Sequence, residues 1–370
     1  MGSDREEQSL SFEFGVYTFG DLTNDPHSGR PINAKQRLEE IVAAAQLAEE
    51  VGLDVFGLGE HHTPNFAVTA PPVVLAAIAR HTKRIKLTSA TTVLSTADPV
   101  RLYEDFATLD LLSDGRAEII AGRGAMAFLD TYSLFGYELA DYDELFQEKI
   151  GLLLHINENE RLSWNGRFRP ELIEAGVAPR PLGGKLPLWI GVGRTLESAE
   201  RAGRLGTGLT FAQLSGDPSR LKPLADAYRA AGKAAGYTPE QLPIAICGHG
   251  YIAPTPRQAL DEYFPYHANY FEHIMQKRNP AERLSREEFE LSTGASFALA
   301  VGSPEQIVEK ILYQHEQIGH SRYILQLDIG GVPYAGVARS IELLATKVMP
   351  VVRRELNQAT TVGKTDGSLR

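Results

Sequence analysis

Lys86-Leu87-Thr88-Ser89-Ala90-Thr91-Thr92-Val93-Leu94, then Pro99-Val100-Arg101-Leu102-Tyr103-Glu104-Asp105-Phe106-Ala107-Thr108-Leu109-Asp110-Leu111-Leu112, then Ala117-Glu118-Ile119-Ile120-Ala121: this stretch decides the fold. A β-prone run leads into a proline-opened helical run and on to a second apolar run, which is one turn of a β/α alternation. The rhythm extends in both directions. Upstream, Phe14 to Thr18 precedes a helix over Asn33 to Gly52, and Val55 to Leu58 precedes one over Val73 to Arg80. In the first of these helices Asn33 and Gln36 carry capping-box spacing and Gly52 marks the end. Downstream, the Ala117 run precedes a helix over Tyr142 to Asn157. Leu188 to Ile190 then precedes Leu196 to Leu205, Gly208 to Ala212 precedes Ser219 to Ala235, Pro243 to Ile252 precedes Arg257 to His273, and Tyr323 to Leu327 precedes Val337 to Val348. The strands number eight, and most are continuous apolar runs, as in a parallel sheet covered by helices on its faces.

The sequence therefore predicts an α/β fold, a (β/α)8 barrel of TIM type. Periodicity leaves an open, doubly wound sheet as the alternative. Two insertions are expected. Arg161 to Pro170, with Asn165-Gly166 between aromatic neighbours, predicts a small hairpin after the fourth unit. Asn269 to Gly302, long and charged, predicts a lid between strands seven and eight. Residues 12–352 form the expected barrel domain, 1–11 a flexible start and 353–370 a flexible tail.

With 370 residues, 43% hydrophobic and 23% charged, the composition is that of a globular protein. A net charge of -10 disfavours nucleic acid as a partner. Cys247 is the sole cysteine, which excludes an internal disulfide and a cysteine-rich zinc site and fits a reducing cytoplasm. No stretch approaches the roughly 20 apolar residues of a membrane span, so no membrane partner is expected.

In parallel α/β folds ligands bind at the carboxyl ends of the strands. Those positions here carry Gly59-Glu60-His61-His62, Gly122-Arg123-Gly124, Gly191-Val192-Gly193-Arg194-Thr195 and Gly248-His249-Gly250. None of the Gly-x-Gly pairs extends to a dinucleotide fingerprint, because Ala127 and Leu196 stand where a third glycine belongs. Arg194 and Thr195 precede a helix whose free N–H groups could bind a phosphate, with Arg123 adding a guanidinium; alternatively Thr195 simply caps that helix. Neighbouring side chains on an extended segment diverge, so His61 and His62 do not suggest one metal, and no metal is expected. A histidine beside a carboxylate can instead exchange protons near neutral pH, with Glu60 as the orienting partner of His61 and His62 a weaker candidate. Cys247 reads as a core filler.

Residues 53–72, with Gly59-Glu60-His61-His62, Phe66, Thr69 and Pro72, resemble the bacterial luciferase-like flavin monooxygenase family. So do Thr91 to Arg101, Glu104-Asp105, Leu109 to Arg116, Arg123-Gly124, Val301 to Glu305 and Val348-Met349-Pro350. The resemblance implies a barrel that takes reduced FMN, often from a separate NAD(P)H:flavin reductase, and uses molecular oxygen through a peroxyflavin to oxygenate a small organic substrate. It further implies His61 as catalytic histidine, Arg123 and Thr195 at the phosphate, with backbone N–H groups at Gly191 and Gly193 and the added Arg194 compensating for contacts this chain lacks, and Ala90-Thr91 as a strained, often cis, peptide beneath the ring. The segment Glu272 to Ser296 would be the lid, and the loop Ala125 to Tyr137 a specificity wall. A homodimer through the helices after strands two and three is implied as well. This chain departs from luciferase at Gly122, where luciferase has a cysteine, and at Gly191 and Val192, where it has acidic and hydroxyl phosphate contacts. The alternatives are a deazaflavin-dependent oxidoreductase transferring hydride and a non-catalytic flavin-binding protein, with a carbohydrate-cleaving barrel more distant.

Overall fold

The computed structural model describes residues 12–124, 130–275 and 283–366. The expected loose start at 1–11 and the last four residues of the expected tail lie outside them, as do residues 125–129 of the specificity loop and 276–282 of the lid.

In chain order, β1 (Glu13–Thr18) leads to α1 (Ala34–Glu50) and β2 (Val55–Leu58) to α2 (Pro71–His81). Next, β3 (Lys86–Ser89) with its short continuation β4 (Thr92–Val93) leads to α3 (Pro99–Leu112), and β5 (Ala117–Gly122) leads through α4 (Asp130–Leu134) to α5 (Tyr142–Glu158). An antiparallel hairpin of β6 (Arg161–Trp164) and β7 (Leu172–Gly176) follows. Then come β8 (Leu188–Val192) with α6 (Leu196–Arg204), β9 (Gly208–Ala212) with α7 (Lys222–Ala234), and β10 (Ile244–Ile252) with α8 (Pro256–Met275). The chain continues through α9 (Arg286–Ser292), β11 (Ala300–Gly302) and α10 (Pro304–Ile318) to β12 (Arg322–Gln326), α11 (Tyr334–Leu343) and α12 (Met349–Asp366).

Parallel pairing runs β1-β2-β3-β5-β8-β9-β10-β12 and returns to β1, so eight strands close a barrel and the open-sheet alternative is excluded. The expected eight β/α units are all present. Three local readings need correction. The run Lys86 to Leu94 is not one strand: it breaks at the Ala90–Thr91 peptide, which is cis, as expected at that position. The stretch before β12 holds a helix that the sequence reading did not count, α10, with Ser303 and Gln306 forming a reciprocal capping box around Pro304. In the hairpin, Asn165-Gly166 is not a two-residue turn but part of a longer loop, in which Glu148 accepts the N–H groups of Arg167 (2.7 Å) and Phe168 (3.0 Å). A Cβ on Gly166 would meet that carboxylate at 2.3 Å.

At α1, Asn33 caps the Gln36 N–H at 2.9 Å, but the Gln36 side chain turns to Glu40 instead of closing the box. Helix α12 covers most of the residues expected as a tail, and near its start Arg353 holds Phe12 O and Asp54.

Inside the barrel, Tyr17, Val55, Ala90, Ile120, Trp189, Ala245, Cys247 and Ile324 pack together. Burial pushes the Cys247 thiol up to about 12, which suits the filler role. The amino-terminal mouth is floored by charge. Arg322 donates to both oxygens of Glu118 (2.6 and 3.1 Å) and pairs with Glu13 (2.6 Å), which also holds Lys86, and its guanidinium lies 4.4 Å from the Trp189 ring centre. Such a buried network fixes the floor, and the carboxyl mouth is left for ligands.

Candidate functional site

At the carboxyl end of β2, the Gly59 N–H donates to Thr18 O at 2.9 Å, which continues the sheet for one more residue. A side chain cannot fit there, because a Cβ on Gly59 would lie 2.0 Å from the Phe19 ring. That absence lets Phe19 stack on His61, ring centres 4.3 Å apart, while Phe66 tilts against the imidazole at 4.6 Å and meets Phe19 edge-on at 6.2 Å. Burial, and secondarily the neighbouring His62, pushes the His61 imidazole down to about 3.

The expected pairing of Glu60 with His61 is not found. Glu60 hydrogen-bonds His62 Nε2 at 2.7 Å and accepts the Val93 N–H at 3.2 Å, because alternation along the extended segment sends residues 60 and 62 to one side and 61 to the other. His62 rests edge-on against Phe135 at 4.7 Å. Glu60 and His62 border a groove of about 670 Å³ that runs outward between α2 and α3, past Leu102 to the exposed Val73 and Leu112. Among the described residues no group of three or more histidines, cysteines or acids is arranged to hold a metal.

Across the mouth, Thr91 nests between β5 and β8. A Cβ on Gly122 would come within 2.5 Å of Thr91 Oγ1, and one on Gly191 within 3.0 Å of its Cγ2. The two glycines are thus required by a threonine that follows the cis bond. Beside them Arg123 extends over the Tyr142 ring (5.2 Å), reaches Asp143 with one nitrogen and donates to Ser198 Oγ at 3.2 Å with the other. Thr195 Oγ1 in turn bonds Ser198 Oγ at 2.7 Å. Thr195 occupies the N-cap of α6 with extended backbone but makes no side-chain cap, so the helix presents its first N–H groups uncapped.

The structure therefore brings together Arg123 and Thr195, while Gly193 stands in open space beside them. Arg194 lines a cavity with Gln213 and Arg220 next to this cradle. Sequence reasoning missed Ser198, Asp143 and Phe19. Ser198 had a signal, since it lies three residues after Thr195 at the spacing of a helix N-terminus. Asp143 and Phe19 meet the site only through tertiary packing.

A sequence profile of the family described as luciferase-like monooxygenase matches residues 12–321. The oxygenase component of a flavin-dependent trigonelline monooxygenase from Acinetobacter baylyi is 22% identical over 330 residues, covering 85% of this chain and 90% of that one. An F420-dependent glucose-6-phosphate dehydrogenase from Amycolatopsis mediterranei is 30% identical over 211 residues, 55% of this chain and 62% of the other. Among solved structures, the monooxygenase RslO1 from Streptomyces bottropensis superposes with a TM-score of 0.78 at 23% identity, covering 91% of this chain and 99% of that one.

Proposed function

Because the chain belongs to the luciferase-like monooxygenase family, we propose that it is the oxygenating component of a two-component system, taking reduced FMN from a separate NAD(P)H:flavin reductase and oxygenating a small organic substrate. The observation that carries this reading is the cradle of Arg123, Thr195 and Ser198 around the uncapped start of α6 at the carboxyl mouth. A phosphate monoester fits it: guanidinium, two hydroxyls and free helix N–H groups make up an anion-binding donor set. The match of the trigonelline monooxygenase component over most of both chains supports the flavin over the deazaflavin alternative, since the F420-dependent dehydrogenase matches about half of this chain in sequence.

Bound reduced FMN would supply the electrons that activate oxygen for transfer to the substrate. The residues of this chain would do the rest. Arg123, Thr195 and Ser198 would anchor the phosphate, and Gly122 and Gly191 would keep the strand ends low beside Thr91. Phe19 and Phe66 would exclude water around His61. Burial keeps His61 neutral and a weak base, so a ring nitrogen would hydrogen-bond the reacting atoms and share a proton with them only at the transition state. Glu60 would fix His62 at the rim.

The groove between α2 and α3, with Val73 and Leu112 exposed along it, supports a homodimer through that face. No helix among the described residues is long and apolar enough to cross a membrane.

The deciding experiment is an anaerobic titration of the purified protein with reduced FMN, run beside the reduced deazaflavin cofactor. Saturable preference for reduced FMN is expected. Preference for the deazaflavin would move the reading to hydride transfer, and binding of neither would remove it.

A further inference from the structure

A pair of cations at the carboxyl ends of β8 and β9 is left unused by the phosphate cradle. Arg194 directly precedes Thr195, so their Cα atoms are about 3.8 Å apart. Its side chain nevertheless lines a cavity of about 340 Å³ together with Arg220, Gln213, Ser215 and Asp217. Neither arginine has an ion-pair partner among the described residues. Asp217 also lines the cavity as a carboxylate, its Oδ1 accepting the Ser219 N–H at 2.8 Å, so two guanidiniums and one carboxylate leave the lining with a net positive charge. The floor is built as well: Gln213 is 6% exposed, and its amide nitrogen is held by Ser215 O at 3.2 Å. Both arginines are exposed at the rim of this space, and an anion entering it would find two guanidinium forks against a single carboxylate.

We infer that this cavity receives a second anionic group, a phosphate or a carboxylate, carried on the same ligand beyond the phosphate held at Thr195. The inference rests on the flavin-phosphate reading above. Its consequence is a cofactor range wider than FMN: a reduced flavin or deazaflavin extended past its first phosphate engages both sites, whereas FMN engages one. The fork geometry of arginine suits either oxyanion, so the shared chemistry is a second planar or tetrahedral anion within reach of the first.

The test compares anaerobic binding of reduced FMN and reduced FAD by the wild-type protein and Arg220→Gln, an exposed substitution on the β9 side. The wild type is expected to bind FAD at least as tightly as FMN. Arg220→Gln should weaken FAD roughly tenfold or more, as for the loss of a charge-assisted hydrogen bond, and FMN less than twofold. Equal loss for both flavins, or wild-type binding of FAD at least tenfold weaker than of FMN, overturns the inference. The deazaflavin cofactor with and without its glutamyl tail forms a second arm, where an Arg220-dependent gain from the tail identifies a carboxylate as the second anion. If wild type binds no flavin at all, the flavin reading fails by itself. Thermal stabilisation by pyrophosphate against phosphate still decides the anion site: an Arg220-dependent preference for pyrophosphate supports it, and its absence refutes it.

Discussion

Arg123 is shared between two claims. Its Asp143 partner is well exposed, so in the absence of phosphate the pair is a solvent-screened ion pair of small worth. A phosphate at Ser198 competes for the same guanidinium. Arg123→Ala should therefore weaken reduced FMN by about 1.5–3 kcal/mol, while Asp143→Asn should tighten it. Anaerobic titration of both variants measures this, and a parallel weakening by both would show that Asp143 orients Arg123 and does not compete for it. His61 invites a test that requires no known substrate, namely the rate at which bound reduced FMN is reoxidised by air. His61→Ala should change that rate by at least a hundredfold if proton transfer is its role. Gly59→Ala should shift it in the same direction without removing the imidazole, because the new Cβ displaces Phe19 from the His61 ring. Unaltered reoxidation in both variants would remove His61 from the chemistry. Such residue-level facts were legible in part. Side-chain alternation separated His61 from His62 on paper, and the same alternation puts Glu60 on the side of His62, a consequence that the expected Glu60–His61 pairing overlooked.

At the level of elements, what the sequence concealed is instructive. Eight strands and most helices declared themselves by period, because each strand had to bury both faces and each helix one. Helix α10 was overlooked since it follows a charged insertion and a three-residue strand, although Ser303-Pro304 and Gln306 form a proper helix start. That helix also ties down the insertion. Lys310 is 1% exposed, and its ammonium donates to Gly294 O at 2.5 Å and to Phe297 O, with burial pushing it down to about 8. Lys310→Met should release residues 293–297 and accelerate limited proteolysis there several-fold, while circular dichroism keeps the barrel signal. Unaltered cleavage would mean that the segment is held by Phe289 and its neighbours instead. Thr91, Gly122 and Gly191 teach the same lesson across elements: a residue just before β4 and one each on β5 and β8 are mutually dependent, and no local window contains all of them.

For the whole molecule, buried histidines set the acid limit. Burial holds His61 and His249 near 3 and His267 near 4, and drives His320 well below its ordinary value. The unfolded chain takes up these protons as pH falls through about 6.5, whereas the folded chain refuses them until pH 3 to 4. Their stabilisation is therefore complete above pH 6.5 and is lost progressively below it, by up to about 1.4 kcal/mol per pH unit for each histidine. Asp21, Asp105 and Asp328, raised by burial, act in the opposite sense, but they are three against five once His315, also lowered by burial, is included. Urea unfolding between pH 7 and 4 should show a falling midpoint, and a flat profile from 7 to 5 would contradict this account. None of it was visible in the sequence, where a histidine count carries no depth.

Trp189 lies in the barrel interior against the Arg322 cation, and the second of the two tryptophans, Trp164, lies on the outer hairpin near His155. The molecule thus carries two natural lamps, one within the barrel and one on its outer wall. A chromophore settling in the mouth would dim the inner lamp by energy transfer, whereas events at the hairpin would reach only the outer one. Replacing Trp164 with phenylalanine leaves an optical gauge of occupancy that needs no label, readable in the unmodified barrel at any stage of turnover.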